Sequence, residues 1–413
     1  VRDAEPSDHR TQPRRQLFAR PGVLEMQPTT DGAAAQPLPP PTDGSIRPTP
    51  SRLCIPEGVI GLKARWPGLA AAYVGAVVGA GFASGREIMH FFVLHGTWGL
   101  CGAAIAGVLF GAAGAAALQR ATAAGHRHYG TLMRDLCGGT LGAVLDHLGT
   151  AFLFVGLVAV TAGAGALGHL LFRWPGWCGL LVFGGGLALS LATGRALHLA
   201  ANLAVMPVLA GVCLVAGVSA FHAPIRPVAP APAHLPWPLA AVLYVAYNLM
   251  MGVAGLCAAL DGKQTLRDAL WGGWLGGLAL GVLCVAATLA MLGVRAHVQN
   301  ADLPLAATLP AGIWRFAAYP LALFAALWTT GSAAAVSLGA RISDSRPRWM
   351  AAALAVAATP FALLGLSPIV TVAYPLMGYA GVPLLGGLAF AMTRDGRTRS
   401  TLSGWQRPED RLR

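Results

Sequence analysis

Between Tyr73 and Phe92 the sequence reads YVGAVVGAGFASGREIMHFF, an apolar stretch that holds Gly75, Gly79, Gly81 and Gly85 and then an adjacent Arg86 and Glu87. Glycine weakens a helix and ionised groups are costly in lipid, so their coincidence in one run of membrane-spanning length marks a working site. Glycines also permit backbone conformations and close approach that a side chain forbids. Ser84 and Glu87 then fit S-x-x-E, the capping box that opens a helix. The expectation is a helix that enters a bilayer, unwinds over residues 79–84 and restarts. Such a break offers N–H groups to a carboxylate, and carbonyls to Na⁺ or a substrate ammonium. A zwitterion needs both in one place, which makes Gly79, Ala80, Gly81, Phe82 and Ser84 candidate substrate contacts. The competing reading is that the glycines only let helices pack closely.

Arg86 and Glu87 point about 100° apart on a helix, so each needs a partner of its own. Glu87 either caps the restarted helix or binds a proton or the substrate ammonium; Arg86 either snorkels to the outer interface or closes an extracellular gate. Further along, Tyr247 and Asn248 precede the run Met250-Met251-Gly252-Val253-Ala254-Gly255 in a segment otherwise without polar side chains. A buried phenol and amide need hydrogen-bond partners, which are either neighbouring helices or substrate at a second break around Gly252. Thr329 and Thr330 lie mid-span; they either bond back to their own helix or add two hydroxyl oxygens to a Na⁺ site. Asp146 and His147 mark either a solvated helix end or a proton relay, and His126 and His128, flanking Arg127, read as solvated. The sequence has no Walker A loop, HExxH or GxSxG. No enzymatic activity is expected, and no cofactor beyond a coupling ion, Na⁺ or H⁺.

The elements that must position these residues are membrane helices. The 413 residues are 55% hydrophobic and 11% charged, with mean hydropathy +0.59, far too apolar for an ordinary soluble protein. Net charge is +12, but residues 1–66 hold nine Lys/Arg against seven Asp/Glu, so most of the excess lies in the membrane body. There it serves topology, and nucleic acid is not an expected partner. Seven scattered cysteines without CxxC spacing suggest packing and no disulfide framework. Residues 1–66, rich in Pro, Arg, Thr and Asp, read as a disordered cytoplasmic tail. The first apolar run is too long for the core of a cleavable signal, so none is expected.

Apolar stretches of about 20 residues define ten spans, at 68–94, 97–119, 140–171, 176–193, 197–222, 237–258, 269–293, 316–340, 349–366 and 369–392. Alternate loops collect fifteen Lys/Arg, from Arg52 to Arg399, whereas the opposite loops hold only Arg173, Arg226, Arg295 and Arg315. Basic loops stay inside, which places both termini in the cytoplasm. The Pro-rich connector 223–236 separates a first half, 67–222, from a second, 237–392, followed by a C-terminal tail, 393–413. Five spans per half is odd, so the second half enters from the opposite face, as an inverted repeat does. YVGAVVGAGFAS from Tyr73 and YVAYNLMMGVAG from Tyr244 align weakly, sharing Tyr, Val, one Gly and one Ala, and the first helix of each half carries an interruption, Gly79/Gly81 in one and Gly252/Gly255 in the other.

On GAGFASGREI, Tyr247-Asn248 and Thr329-Thr330, residues 67–392 resemble the YkvI-type bacterial membrane proteins, which are amino acid permeases by prediction, related to the amino acid-polyamine-organocation superfamily. Members commonly carry Gln before the Glu; this chain carries Arg86. The resemblance implies an all-α LeuT-like fold with broken helices 1 and 6 around the substrate and helices 3 and 8 lining it. It further implies a Na⁺ site of carbonyls at Gly75 and Val78 with hydroxyls at Thr329 and Thr330. The expected function is secondary transport of an amino acid or similar small zwitterion, coupled to Na⁺ or H⁺, in the bacterial cytoplasmic membrane. A receptor that binds without translocating is the alternative. Substrate identity and oligomeric state are not encoded legibly.

Overall fold

The computed structural model describes residues 65–126, 129–193, 198–221, 228–231, 235–260, 262–343 and 345–405. The expected N-terminal tail, all but its last two residues, lies outside the described residues, as do His128, most of the connector and the end of the C-terminal tail.

Among the described residues there is no strand. The first span is divided into α1 (Trp66–Val77), α2 (Ala80–Ser84) and α3 (Arg86–Phe91). Then come α4 (Trp98–Ala124), a short α5 (Tyr129–Cys137), α6 (Gly139–Phe172), α7 (Gly176–Thr193) and α8 (His198–Phe221). The second half holds α9 (Trp237–Ala258), α10 (Leu266–Leu292), the short α11 (Arg295–Val298), α12 (Tyr319–Ile342) and α13 (Pro347–Ala362). A last span begins with α14 (Leu366–Pro368) and passes through a π-helical turn, Ile369–Ala373, into α15 (Tyr374–Trp405). Helix occupies all ten expected spans, and among the described residues seven helices are long and apolar enough to cross a membrane on length and composition alone.

Local chemistry explains several boundaries. Pro67 sits in the first turn of α1, where its missing N–H costs nothing. At α10, Thr265 and Asp268 form a reciprocal capping box, each side chain taking the other's backbone N–H at 3.1 Å. The amphipathic α5, not foreseen from hydropathy, buries Tyr129, Leu132, Met133 and Leu136. Its Asp135 accepts two hydrogen bonds from Arg120, at 2.6 and 2.9 Å. These bonds hold the Asp135 carboxyl below the usual carboxylate range.

Corresponding elements of the two halves meet each other. In the α4–α10 seam a β-carbon on Gly107 would lie 2.5 Å from the Gly281 Cα, and one on Gly281 would lie 2.6 Å from the Gly107 Cα. Small residues at this seam let the backbones touch, the usual means of tight helix association in lipid. That mutual approach is what a two-fold relation between the halves produces. Likewise α6 packs on α12 and α7 on α13, while α1 packs on both α9 and α10.

One expectation fails here. The helix of the sixth span runs from Trp237 to Ala258 without interruption, so helix 6 is not broken. Gly252 and Gly255 serve close packing instead. Positions for their β-carbons lie 3.8 and 3.1 Å from the Ala76 Cβ, an ordinary contact at Gly252 and a tight one at Gly255, where a side chain would press α1 away from α9.

Candidate functional site

The first span is broken, but at two points and over fewer residues than expected. Val78 and Gly79 leave the helical region (φ −76°, ψ 84° and φ −101°, ψ −164°), Ala80–Ser84 forms a helical turn, and Gly85 turns left-handed at φ 80°. The unwinding expected over 79–84 is thus confined to its first residue and the one before it. Gly85 makes the second corner possible because its φ is one that L side chains rarely adopt. At the first break the Gly79 N–H turns to the Val77 carbonyl at 2.8 Å, so the Gly75 carbonyl loses the donor that a continuous helix would supply.

The capping box does not form. Gly85 occupies the N-cap, and the Ser84 hydroxyl donates to the Gly81 carbonyl at 2.7 Å while accepting from the Arg86 N–H at 3.1 Å. Glu87 instead turns inward, where it is 5% exposed, and its Oε2 accepts a hydrogen bond from the Tyr247 hydroxyl of α9. Its carboxyl fills the space that a side chain on Gly81 would need: a β-carbon there would lie 1.7 Å from Oε1 and 2.4 Å from Cδ. The Tyr247 ring stacks on Phe91 at 5.5 Å between centroids and meets Tyr374 of α15 at 5.0 Å. Phe82 belongs to the fully buried core. Nothing is described of the Ala80 side chain.

Arg86 turns the opposite way and does not snorkel to water: it is 7% exposed. One guanidinium nitrogen donates to the Gln299 carbonyl and, at 3.2 Å, to the Ala301 carbonyl; the other donates to the Ser367 hydroxyl at the start of the last span. Asp302 adds electrostatic attraction and accepts the Ser367 N–H at 3.3 Å. Arg86 thereby ties α3 to the segment before α12 and to α14. Ala301 and Asp302 also line a neighbouring cavity of about 400 Å³, with His169, Trp177, Leu363 and Gly365.

The other candidates divide. Gly252 flanks the first break, its β-carbon position 3.5 Å from Val77 Cγ2. Asn248 is buried, yet its amide donates to the Tyr244 carbonyl of its own helix at 3.0 Å, away from the break. Thr330 lies against the break, with Oγ1 and Cγ2 each 3.7 Å from a β-carbon position on Gly79. Thr329, by contrast, is 2% exposed and bonds back to the Ala325 and Ala326 carbonyls at 2.9 and 3.2 Å. Of the implied Na⁺ ligands, the Gly75 carbonyl is freed by the break and the Thr330 side chain lies against Gly79, the residue that makes it. Val78 is buried, and its N–H closes the last turn of α1 on the Val74 carbonyl. Asp146 forms an ion pair with Arg341 at 2.9 Å, tying α6 to α12, and His147 contacts the Ala143 carbonyl of its own helix.

Sequence reasoning missed Tyr374, Ser367 and Asp302. A signal existed for the last: Asp302 is the single acidic residue on the loops with few basic residues, hence the natural counterpart of a basic residue near that face.

No family model matches the chain. It is 27% identical over 332 residues to the uncharacterized membrane protein YkvI of Bacillus subtilis (strain 168), covering 78% of this chain and 94% of the relative. It is 25% identical over 328 residues to the uncharacterized protein YyaD of the same organism, covering 76% and 92%. Among solved structures it is similar to an inward-facing conformation of Mhp1, with TM-score 0.51, 15% identity and 78% of this chain against 77% of that one. A substrate-bound, outward-open Na⁺-coupled sialic acid symporter gives TM-score 0.51, 11% identity and 79% against 78%. The chain is accordingly a homologue of YkvI and YyaD, a multi-pass membrane protein built on the LeuT fold.

Proposed function

We propose that this protein is a secondary active transporter of an amino acid or similar small zwitterion, driven by an ion gradient across the bacterial cytoplasmic membrane, with both termini inside. The observation that carries this reading is the interruption at Val78–Gly79, which frees the Gly75 carbonyl and has Thr330 of α12 against Gly79 and Gly252 of α9 against Val77. Irregular backbone within a bilayer is tolerated where it lines a site, because unpaired peptide groups there cost several kcal/mol otherwise. Main-chain groups recognise the ammonium and carboxylate common to all amino acids, so the break supports the class and leaves the side chain to pocket shape. Arg86 closes the site from outside through the loop before α12, and release of that tie admits substrate.

Counterflow tests the proposal. Protein reconstituted in proteoliposomes and preloaded with a mixture of unlabelled amino acids is expected to take up labelled substrate from the same mixture. Binding without exchange would mark the receptor alternative, and neither binding nor exchange in folded, oriented protein would sink the amino acid reading.

A further inference from the structure

Glu87 is the single glutamate between Glu57 and Glu409, and the fold encloses it almost completely. Its recorded hydrogen bond comes from the neutral phenol of Tyr247, while the guanidinium next to it in sequence is committed to loop carbonyls and Ser367. The titratable groups that face it are Tyr244 and Tyr247 from α9, Tyr374 from α15 and Cys284 from α10; Arg86 and His90 lie on its own helix. Those contributed by α9, α10 and α15 are neutral phenols and a thiol. An ionised carboxylate in such a place demands water or a counter-charge, whereas a protonated one needs only hydrogen-bond partners. The carboxyl also sits within a few ångströms of the Gly81 main chain, between the two corners of the broken span.

We infer that Glu87 is the proton-binding site of the transporter, with Tyr247 as its hydrogen-bond partner and Gly81 as the gap that admits its carboxyl, so that the coupling ion is H⁺. This deepens the transport reading above and rests on it. The step is a simple protonation: the carboxylate takes one proton when the span is open to the acidic side, the closed arrangement holds the neutral acid, and opening to the other side releases the proton. Closure and protonation favour each other because the same burial that excludes water penalises the charged form. The phenol remains a donor in both forms.

Four transport measurements on proteoliposomes and one infrared measurement on the reconstituted protein test this. An imposed gradient of about one pH unit, acid outside, should give wild type up to about tenfold accumulation for one proton carried per substrate. A Na⁺ gradient alone should give none. Glu87→Gln should lose the pH-driven accumulation while counterflow exchange persists and no longer varies with pH. Tyr247→Phe, which keeps the carboxyl, should shift the pH midpoint of accumulation. The carboxylic C=O stretching band of the reconstituted protein should be present in wild type and missing in Glu87→Gln, a readout independent of any transport assay. Accumulation driven by Na⁺ alone, a Glu87→Gln protein that still concentrates substrate under the pH gradient, a folded Glu87→Gln protein without exchange, or an unchanged infrared band would each overturn the assignment. Should Glu87→Gln not fold, an unshifted midpoint in Tyr247→Phe does so. Absence of counterflow in wild type, with the infrared band intact, refutes the transport reading and not the protonation.

Discussion

Gly81 and Gly252 look interchangeable in the sequence, and the structure gives them opposite tolerances. A β-carbon on Gly81 would lie 1.7, 2.4 and 2.8 Å from the Oε1, Cδ and Cγ of Glu87, so the whole carboxyl end must move. Overpacking of this kind costs about 1–3 kcal/mol. Gly81→Ala should therefore lower the melting temperature and bring pH-driven accumulation down toward simple equilibration, a ratio of about one, since Glu87 is driven off Tyr247. At Gly252 the nearest atom to a β-carbon is 3.5 Å away, an ordinary contact inside a continuous helix. Alanine there should keep accumulation within about twofold and leave stability equal or slightly raised, because glycine in a helix interior costs roughly 0.5–1 kcal/mol. Thermal melts beside uptake assays on the two variants decide this. The sequence showed that Gly81 and Glu87 mattered but not that they occupy one space. Spacing of three suggested a local cap, whereas the partner that won, Tyr247, lies 160 positions away and becomes visible only when α3 and α9 are packed together.

At the scale of elements, α3 is short, and its orientation depends on what holds its ends. Gly85 sets the entry, and Arg86 binds the helix to Gln299, Ala301 and Ser367. Hydrogen bonds that involve a charged group are worth about 1.5–3 kcal/mol each. Replacing Arg86 with Gln should thus loosen the segment before α12 and the start of the last span together, raising amide exchange near 299–303 and 366–369 by roughly tenfold to a hundredfold. The inner network around Asp146 and Arg341 should remain protected. Equal loss of protection at both faces would mean general destabilisation and would remove the case for an outer closure. The helices themselves were readable, because long apolar runs leave few alternatives in lipid. Helix continuity in the sixth span was not, because glycine both breaks helices and lets them approach. Only the position of Ala76 against Gly252 and Gly255 separates the two uses.

The whole molecule contains two densely packed sets of helices. One joins α1, α4, α9 and α10 through the glycine seam; the other joins α6, α7, α12 and α13, with α8 packed against both α10 and α12. The broken span lies between them, since α1 packs on α9 and α10 while α2 packs on α6 and α12. The two-fold relation was faint in the sequence, four matching residues in twelve, because inverted repeats preserve packing positions and not side-chain identities. Gly107 and Gly281, which meet backbone to backbone, occupy such packing positions. Backbones in direct contact there cannot slide without clash, so alternating access requires the first set to move against the second rather than within itself. Disulfides test that division in a background lacking the native cysteines. Ala76→Cys with Gly252→Cys brings β-carbons 3.8 Å apart inside the first set, the mean separation in natural disulfides, about 3.8 Å. Gly79→Cys with Thr330→Cys links the first span to α12 of the second set, where the side chain already lies 3.7 Å from the new β-carbon. The first cross-link should leave counterflow within about threefold of the reduced protein, and the second should stop it until reductant is added. Loss of exchange through the first bond, or free exchange through the second, would place the moving boundary elsewhere in the fold.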